Sequence, residues 1–251
     1  MKIVITGSRG FIGSHLKDHL EQKGHTIIEY DRKLEKNIED FTLPSGVGAV
    51  VHLAALADVR RSIREPDLYW ENNVINTKRI QDMCAVHNVK LLYASSSCIH
   101  NWSLSPYGTS KKVNEATAHP GQVGLRFTTV YGDGARDTMF MGRLLSGDLQ
   151  YSTNHVRDFI HVSDVVSAID SIIFSEHEPQ HGAYDIGTGN GNTVSALAEL
   201  AGYNIPVKDG DDCEAADNTA NVKPMEKEFG WKAKVDVKQF ITNNQFEGIP
   251  V

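Results

Sequence analysis

Three cysteines in 251 residues (Cys84, Cys98 and Cys213) are too few for a disulfide framework, and they lack the spacing of a metal-ligand set. Reduced thiols are expected. No apolar run approaches the roughly 18 to 20 residues that a bilayer span requires. The opening Met1-Lys2-Ile3-Val4-Ile5-Thr6 reads as a strand, not as a charged and then apolar leader. Positive charge is also short: 25 Lys plus Arg against 32 Asp plus Glu leave −7. That disfavours a nucleic-acid or anionic-membrane role, although local basic groups can still hold phosphate. Internal repeats and low-complexity segments are missing. The 40% of apolar residues suffices for a full core, in one large or two small domains. These features predict a soluble, cytoplasmic protein.

Short apolar runs alternate with helical patterns, which predicts a parallel sheet covered on both faces. The strand candidates are Lys2–Thr6, Thr26–Tyr30, Ala49–Leu53, Lys90–Ala94 and Gln122–Phe127, with helices over Phe11–Lys23, Ser62–His87 and Pro106–Thr117. The stretch from Asp31 to Pro44 is too short and polar for a full helix, so one crossover is abbreviated. After Tyr131 the pattern becomes irregular: helix over Thr138–Leu145, strand over Arg157–His161, helix from Val162 to about Ser175, strand over Tyr184–Ile186. Helices near Val194–Ala201 and Val222–Phe229 close it. A cofactor-binding half therefore comes first, with a smaller lobe assembled from later insertions.

The first strand ends at Thr6-Gly7-Ser8-Arg9-Gly10-Phe11-Ile12-Gly13, and a helical pattern begins at once. Gly7 permits the tight strand-to-helix turn. Gly10 removes a side chain where backbone must approach a pyrophosphate, and Gly13 lets the helix pack closely on the sheet. Free N–H groups and the positive helix end would face the phosphates, so Gly7, Arg9, Gly10, Phe11, Ile12 and Gly13 are cofactor-binding candidates. The second strand closes on Glu29-Tyr30-Asp31. A carboxylate there can take both ribose hydroxyls of NAD and repels the extra phosphate of NADP. Arg32, the next residue, pulls the other way; an ordinary solvated acid–base turn is the alternative.

Tyr107-Gly108-Thr109-Ser110-Lys111 places a phenol and an ammonium four residues apart on one helix face. Phenol, with a free pKa of about 10, is a poor base. A cation at about 4 Å is worth roughly 4 kcal/mol, about a thousandfold in acidity, and a positive nicotinamide would add to it. Tyrosinate could then remove a hydroxyl proton near neutrality. The fourth strand runs into Ser95-Ser96-Ser97, at the strand ends that line the ligand crevice of a doubly wound sheet. A serine there can hold the reacting oxygen; three turn serines satisfying local backbone are the alternative.

With these parts in place, the chain resembles the extended short-chain dehydrogenase/reductases, the NAD-dependent epimerase/dehydratase family. Matching stretches are Thr6-Gly7…Gly13, Asp31, His52-Leu53-Ala54-Ala55, Asn72-Asn73-Val74, Ser95–Ser97 and Pro106-Tyr107…Lys111. Leu125-Arg126…Val130-Tyr131-Gly132, Arg157-Asp158-Phe159-Ile160-His161-Val162-Ser163-Asp164, Tyr184-Asp185-Ile186-Gly187-Thr188-Gly189 and Phe229-Gly230-Trp231 follow in the family's order. The resemblance implies a Rossmann-type doubly wound α/β fold: a core over 1–132 completed by 157–187, and a small substrate lobe from 133–156 and 188–251. It implies Tyr107 as general acid/base, Lys111 on the ribose and Ser96 on the substrate oxygen. Asn37 and Ile38 would lie at the adenine, with an amide in place of the usual carboxylate. Leu53, Ala54, Ala55 and Asn73 would lie on the nicotinamide side, Thr129 and Arg157 at the substrate. For Arg157 an ion pair with Asp158 or Asp164 is the alternative. The long helix and the helix bearing Tyr107 resemble the pair that builds twofold dimers in the family, which implies a homodimer.

The chain also departs from the family. The Ser96–Tyr107 loop, the stretch from Tyr131 to Arg157 and the C-terminal lobe are short, and Thr129 stands where many members carry asparagine. No arginine follows Arg157, where epimerases commonly supply a second; Lys208 or Lys223 would substitute only as point charges. Ser97-Cys98 replaces the Asp-Glu of the 4,6-dehydratases, which excludes that reaction. Tyr93–Ile99 instead resembles enzymes in which a cysteine at the place of Cys98 moves protons beside a ketone. A small packed thiol is the other reading. His15, His52, His100 and His161 show no metal spacing. An NAD-dependent nucleotide-sugar epimerase or reductase is predicted. The alternatives are an NAD(P)H-dependent ketoreductase on a smaller substrate and a non-catalytic NAD-binding sensor.

Overall fold

The computed structural model describes residues 1–244. Its strands are β1 (Lys2–Thr6), β2 (Thr26–Tyr30), β3 (Ala49–His52), β4 (Lys90–Ser96), β5 (Val123–Phe127), β6 (Thr129–Tyr131), β7 (Ser152–Thr153), β8 (Val156–His161), β9 (Ala183–Ile186), β10 (Gly191–Thr193) and β11 (Val207–Lys208). The helices are α1 (Phe11–Gln22), α2 (Val59–Arg64), α3 (Pro66–Tyr69), α4 (Asn76–Val86), α5 (Pro106–Thr117), α6 (Phe140–Ser146), α7 (Val162–Ile173), α8 (Val194–Leu200), α9 (Lys223–Phe229) and α10 (Val237–Asn243).

The main sheet runs β2-β1-β3-β4-β5-β9 with every neighbouring pair parallel. The strands read as apolar runs because alternate residues enter different cores. Ile3, Ile5, Val51 and Leu92 face one cluster with Leu16 of α1 and Ile169 of α7, while Val4, Val50, Leu91 and Tyr93 face the other with Ile80 and Cys84 of α4. This is the doubly wound layering expected. The strand order reverses between β1 and β3, and that switch point opens the ligand crevice. The abbreviated crossover after β2 consists of two 3₁₀ turns, Arg32–Leu34 and Ile38–Asp40.

The uninterrupted helix expected over Ser62–His87 is broken. Glu65 leaves the helical region (φ −131°, ψ 54°) because Pro66, at the first position of α3, crowds the residue before it. A π-helical turn, Trp70–Ile75, then joins α3 to α4.

The lobe is built on β10-β8-β6, the β11-β7 pair and α6, α8 and α10, around Tyr131, Leu144, Phe159, Leu197 and Ile241. The late segment divides between the two bodies. Met225 of α9 and Trp231 lie in the main core, so 223–231 packs with the Rossmann part, not with the lobe. The short β6, β7, β10 and β11 and the helix α10 carry no periodic signal long enough to be read beforehand. No described helix is long and apolar enough to cross a membrane, and all three cysteines are free thiols.

Candidate active site

Gly7 (φ +70°) lies beside the loop after β3: a Cβ on it would stand 2.8 Å from the Ala54 nitrogen. A Cβ on Gly13 would be 2.0 Å from the Gly7 carbonyl oxygen. Both glycines are therefore demanded by close approach of backbone at the switch point. Gly10 caps α1 without any side-chain cap, which leaves the first amides of the helix pointing into the crevice. The Asp31 carboxylate accepts the Arg9 amide at 2.9 Å and the Lys33 amide at 2.9 Å, tying the tip of β2 to the glycine loop. Arg9 pairs with Glu29, and Arg32 donates to Glu39 and Asn72, so each guanidinium already faces an acceptor. A glycine-walled cradle, an uncapped helix end and a carboxylate at the strand tip fit a dinucleotide with free ribose hydroxyls.

Leu53 and Ala54 leave β3 with their amides on the Thr6 carbonyl and hydroxyl, at 3.1 and 3.2 Å, and Ala55 continues the same partly buried loop. His52, buried between Thr6 and Thr77, is pushed down to about 3 by its burial and stands as a neutral ring. Asn73, expected on the nicotinamide side, is held by the loop after β3. Its amide is fully buried: Oδ1 accepts from Leu56 and Asn72, and Nδ2 donates to the Leu56 carbonyl and Ser110. It holds the loop after β3 from the π turn, a place where such turns serve sites. Asn37 is exposed beside the 3₁₀ turn, and Ile38 packs into the core.

The expected Ala94 terminus of β4 is overrun by two residues. In consequence Ser95 and Ser96 alternate in direction as strand residues. Ser95 turns away and donates to Glu115 at 2.5 Å, whereas Ser96 accepts the Cys98 amide at 3.2 Å. The Ser105 hydroxyl caps α5 through the Gly108 amide, and Ser62 accepts the Tyr107 amide at 3.2 Å. A Cβ on Gly108 would lie 2.8 Å from the Trp102 carbonyl oxygen, so this glycine lets the 3₁₀ segment Ser97–Leu104 press against α5. That seating brings Cys98 to Tyr107. Ser62, Ser105 and Gly108 escaped the sequence reading, although Ser105-Pro106 is a helix-start signal.

Tyr107 and Lys111 share a buried pocket, with the Lys111 Nζ 5.8 Å from the centre of the Tyr107 ring and donating to the Ala94 carbonyl at 2.8 Å. Burial pushes Lys111 down to about 7. It pushes the Tyr107 phenol up, reinforced by Cys98 and opposed by the Ser96 hydrogen bond and the Arg136 charge. Burial thus works against the acidified phenol expected from the lysine and the nicotinamide together. Burial raises the Cys98 thiol, with Ser96 and Arg157 pulling down and Glu214 pushing up.

At the rim, Thr129 Oγ1 accepts the Asn218 amide at 3.2 Å, and Asn218 Oδ1 accepts the Asp158 amide. An amide from the late chain therefore sits beside Thr129. Arg157 pairs with neither Asp158 nor Asp164. It donates to the Val156 and Ala215 carbonyls and, at 3.1 Å, to Glu214. Lys208 lies over the Tyr151 ring at 4.1 Å.

The profile of the NAD dependent epimerase/dehydratase family matches residues 3–187. A UDP-glucose 4-epimerase from Pisum sativum is 28% identical, over 95% of this chain and 93% of its own length. Protein CapI from Staphylococcus aureus is 31% identical over 71% of each chain. Among solved structures, MoeE5 in complex with UDP-glucuronic acid and NAD superposes with a TM-score of 0.86 at 29% identity, covering 98% of both chains.

Proposed function

The chain belongs to the NAD-dependent epimerase/dehydratase family, and from that premise we propose that it is a nucleotide-sugar epimerase or reductase with Tyr107 as its general acid/base. One observation carries the proposal: Ser96 ends β4, and Tyr107 and Lys111, on one face of α5, are buried with it, Lys111 donating to the Ala94 carbonyl of the same strand. Bound NAD would supply the hydride acceptor for the sugar carbon. Gly7, Gly10 and Gly13 with the α1 amides hold its pyrophosphate, and Asp31 its ribose. Ser96 holds the sugar hydroxyl while Tyr107 removes its proton. Burial disfavours both the phenolate and the ammonium, so the two charges are stable only together. Lys111 thus carries its proton when Tyr107 has lost its own. Cys98, protonated beside Tyr107, is positioned to give a proton to a substrate oxygen or carbon. Thr129, with Asn218, and Arg157 face the rest of the substrate.

UDP-glucose and UDP-glucuronic acid are the first substrates to offer, since UDP sugars accompany the similar proteins. Tyr107→Phe should abolish turnover while NAD stays bound, read by cofactor fluorescence. Near-normal rates would remove the mechanism, and net consumption of reduced cofactor at about 340 nm would mark a reductase. The charge balance and free thiols support a cytoplasmic setting. The exposed Leu68, Trp70, Trp102 and Leu104 beside α3 and α5 support a homodimer. A monomer by light scattering at micromolar concentration would exclude it.

A further inference from the structure

Arg60 lies on α2, in the first half of the chain, and Arg157 on β8, yet both end on one carboxylate. Arg60 Nε is 3.0 Å from Glu214 Oε1, and Arg157 Nη2 is 3.1 Å from Glu214 Oε2. Asp211 backs the arrangement at 2.6 Å from Arg60. Glu214 is held from a pinned strap. Gly210 is pressed onto the His155 ring, where a Cβ would stand 1.8 Å away, and the Ala216 carbonyl accepts the Val156 amide at 2.8 Å. Between these anchors Asp211–Glu214 forms a turn, closed by the Glu214 amide on the Asp211 carbonyl. The Glu214 side chain is 24% exposed and Arg157 13%, so the pair stands at the mouth of the site and not in the core.

A guanidinium fork receives a carboxylate and a phosphate by the same geometry. We propose that Arg60 and Arg157 form one anion-binding pair for the substrate's diphosphate, and that Glu214 occupies it as an internal competitor until the substrate displaces it. This rests on the nucleotide-sugar reading above. Arg60 thereby supplies from the early chain the second guanidinium that the chain lacks after Arg157. A diphosphate carries more negative charge than one carboxylate and can engage both forks at once. The displaced strap turn lies at the surface, where Asp211 and Glu214 can return to water.

The test uses the NAD-loaded enzyme with UDP-glucose for turnover and UDP alone for binding. Glu214→Gln keeps the shape and removes the competing charge; it should tighten UDP and lower KM about threefold to fivefold, the worth of a part-exposed ion pair. Arg60→Gln should raise KM about tenfold with a much smaller effect on kcat, and Arg60→Lys should recover part of that loss. KM and UDP affinity unmoved by both Glu214→Gln and Arg60→Gln, in an enzyme that still turns over UDP-glucose, would overturn the proposal and leave the reaction assignment standing. Weaker UDP binding in Glu214→Gln would overturn it too, since Glu214 would then be part of the substrate site. A wild type that neither binds UDP nor turns over any nucleotide sugar would remove the functional reading and this proposal with it.

Discussion

Replacing Lys111 with methionine should abolish turnover and yet stabilise the NAD-free protein, by an amount that depends on pH. The Lys111 side chain is buried, with a single hydrogen bond, to the Ala94 carbonyl. Its burial takes the pKa from 10.5 down to about 7. Below about pH 7 the lysine is charged in both the folded and the unfolded chain, so folding carries the whole cost of burying the charge. At about 1.4 kcal/mol for each tenfold change in acidity, that cost is ~5 kcal/mol. Between about 7 and 10.5 the folded protein has released the proton and the unfolded chain has not. The unfolded state then binds more protons, stability rises with pH, and the cost disappears above the upper value. Methionine matches the length without the charge, but it strands the Ala94 carbonyl at a cost of ~1–2 kcal/mol. Lys111→Met should therefore be about 3 kcal/mol more stable than the wild type near pH 6, and no more stable near pH 10. Urea midpoints at several pH values, with equal m, measure the difference directly. A difference that is flat from about pH 6 to 10, or that grows with pH, would refute the argument that this ammonium is held against its solvation.

Gly13→Ala puts a methyl group 2.0 Å from the Gly7 carbonyl oxygen, against backbone that cannot yield. Loss of NAD binding by titration is expected, together with a fall in Tm; a variant that binds NAD normally would contradict the cradle. Asp158 is fully buried and accepts from the Thr188 amide and hydroxyl, the Gly189 amide and the Ala220 amide. Asp158→Ala leaves those amides without an acceptor and should cost about 3 kcal/mol, read as a lower urea midpoint. Ser105→Ala removes the α5 cap and should cost about 1 kcal/mol, with turnover falling as Tyr107 loses its fixed start of helix.

Much of this was legible in the residues because the Rossmann half is local in its logic. A strand, a glycine loop and a helix follow one another within the first twenty-odd residues, and each glycine answers a steric demand that the loop itself makes. Tyr107 and Lys111 share a face by helical periodicity alone. Two readings failed at element ends: the helix expected from Ser62 broke at Pro66, and β4 ran on through Ser95 and Ser96, which pair with Arg126 and Phe127 of β5.

The electrostatics were not legible, because they depend on which groups are dried together. A lysine four residues from a tyrosine promises an acidified phenol in water. In the folded pocket, burial works against both charged forms, raising the phenol and lowering the lysine. Asn73 sat inside a family motif, but only the π turn reveals that its amide is used up on the loop after β3. The partner of Arg157 lies far along the chain in a segment with no periodic signal, and Arg60 meets it there only through the tertiary fold. The amino-acid order by itself determined the glycine loop and the placing of Tyr107 and Lys111 on one helix face, since both are written in spacings of a few residues. The three-dimensional structure alone decided which charges those residues keep and what stands at the mouth of the site, since solvation and long-range pairing exist only once distant segments are brought together.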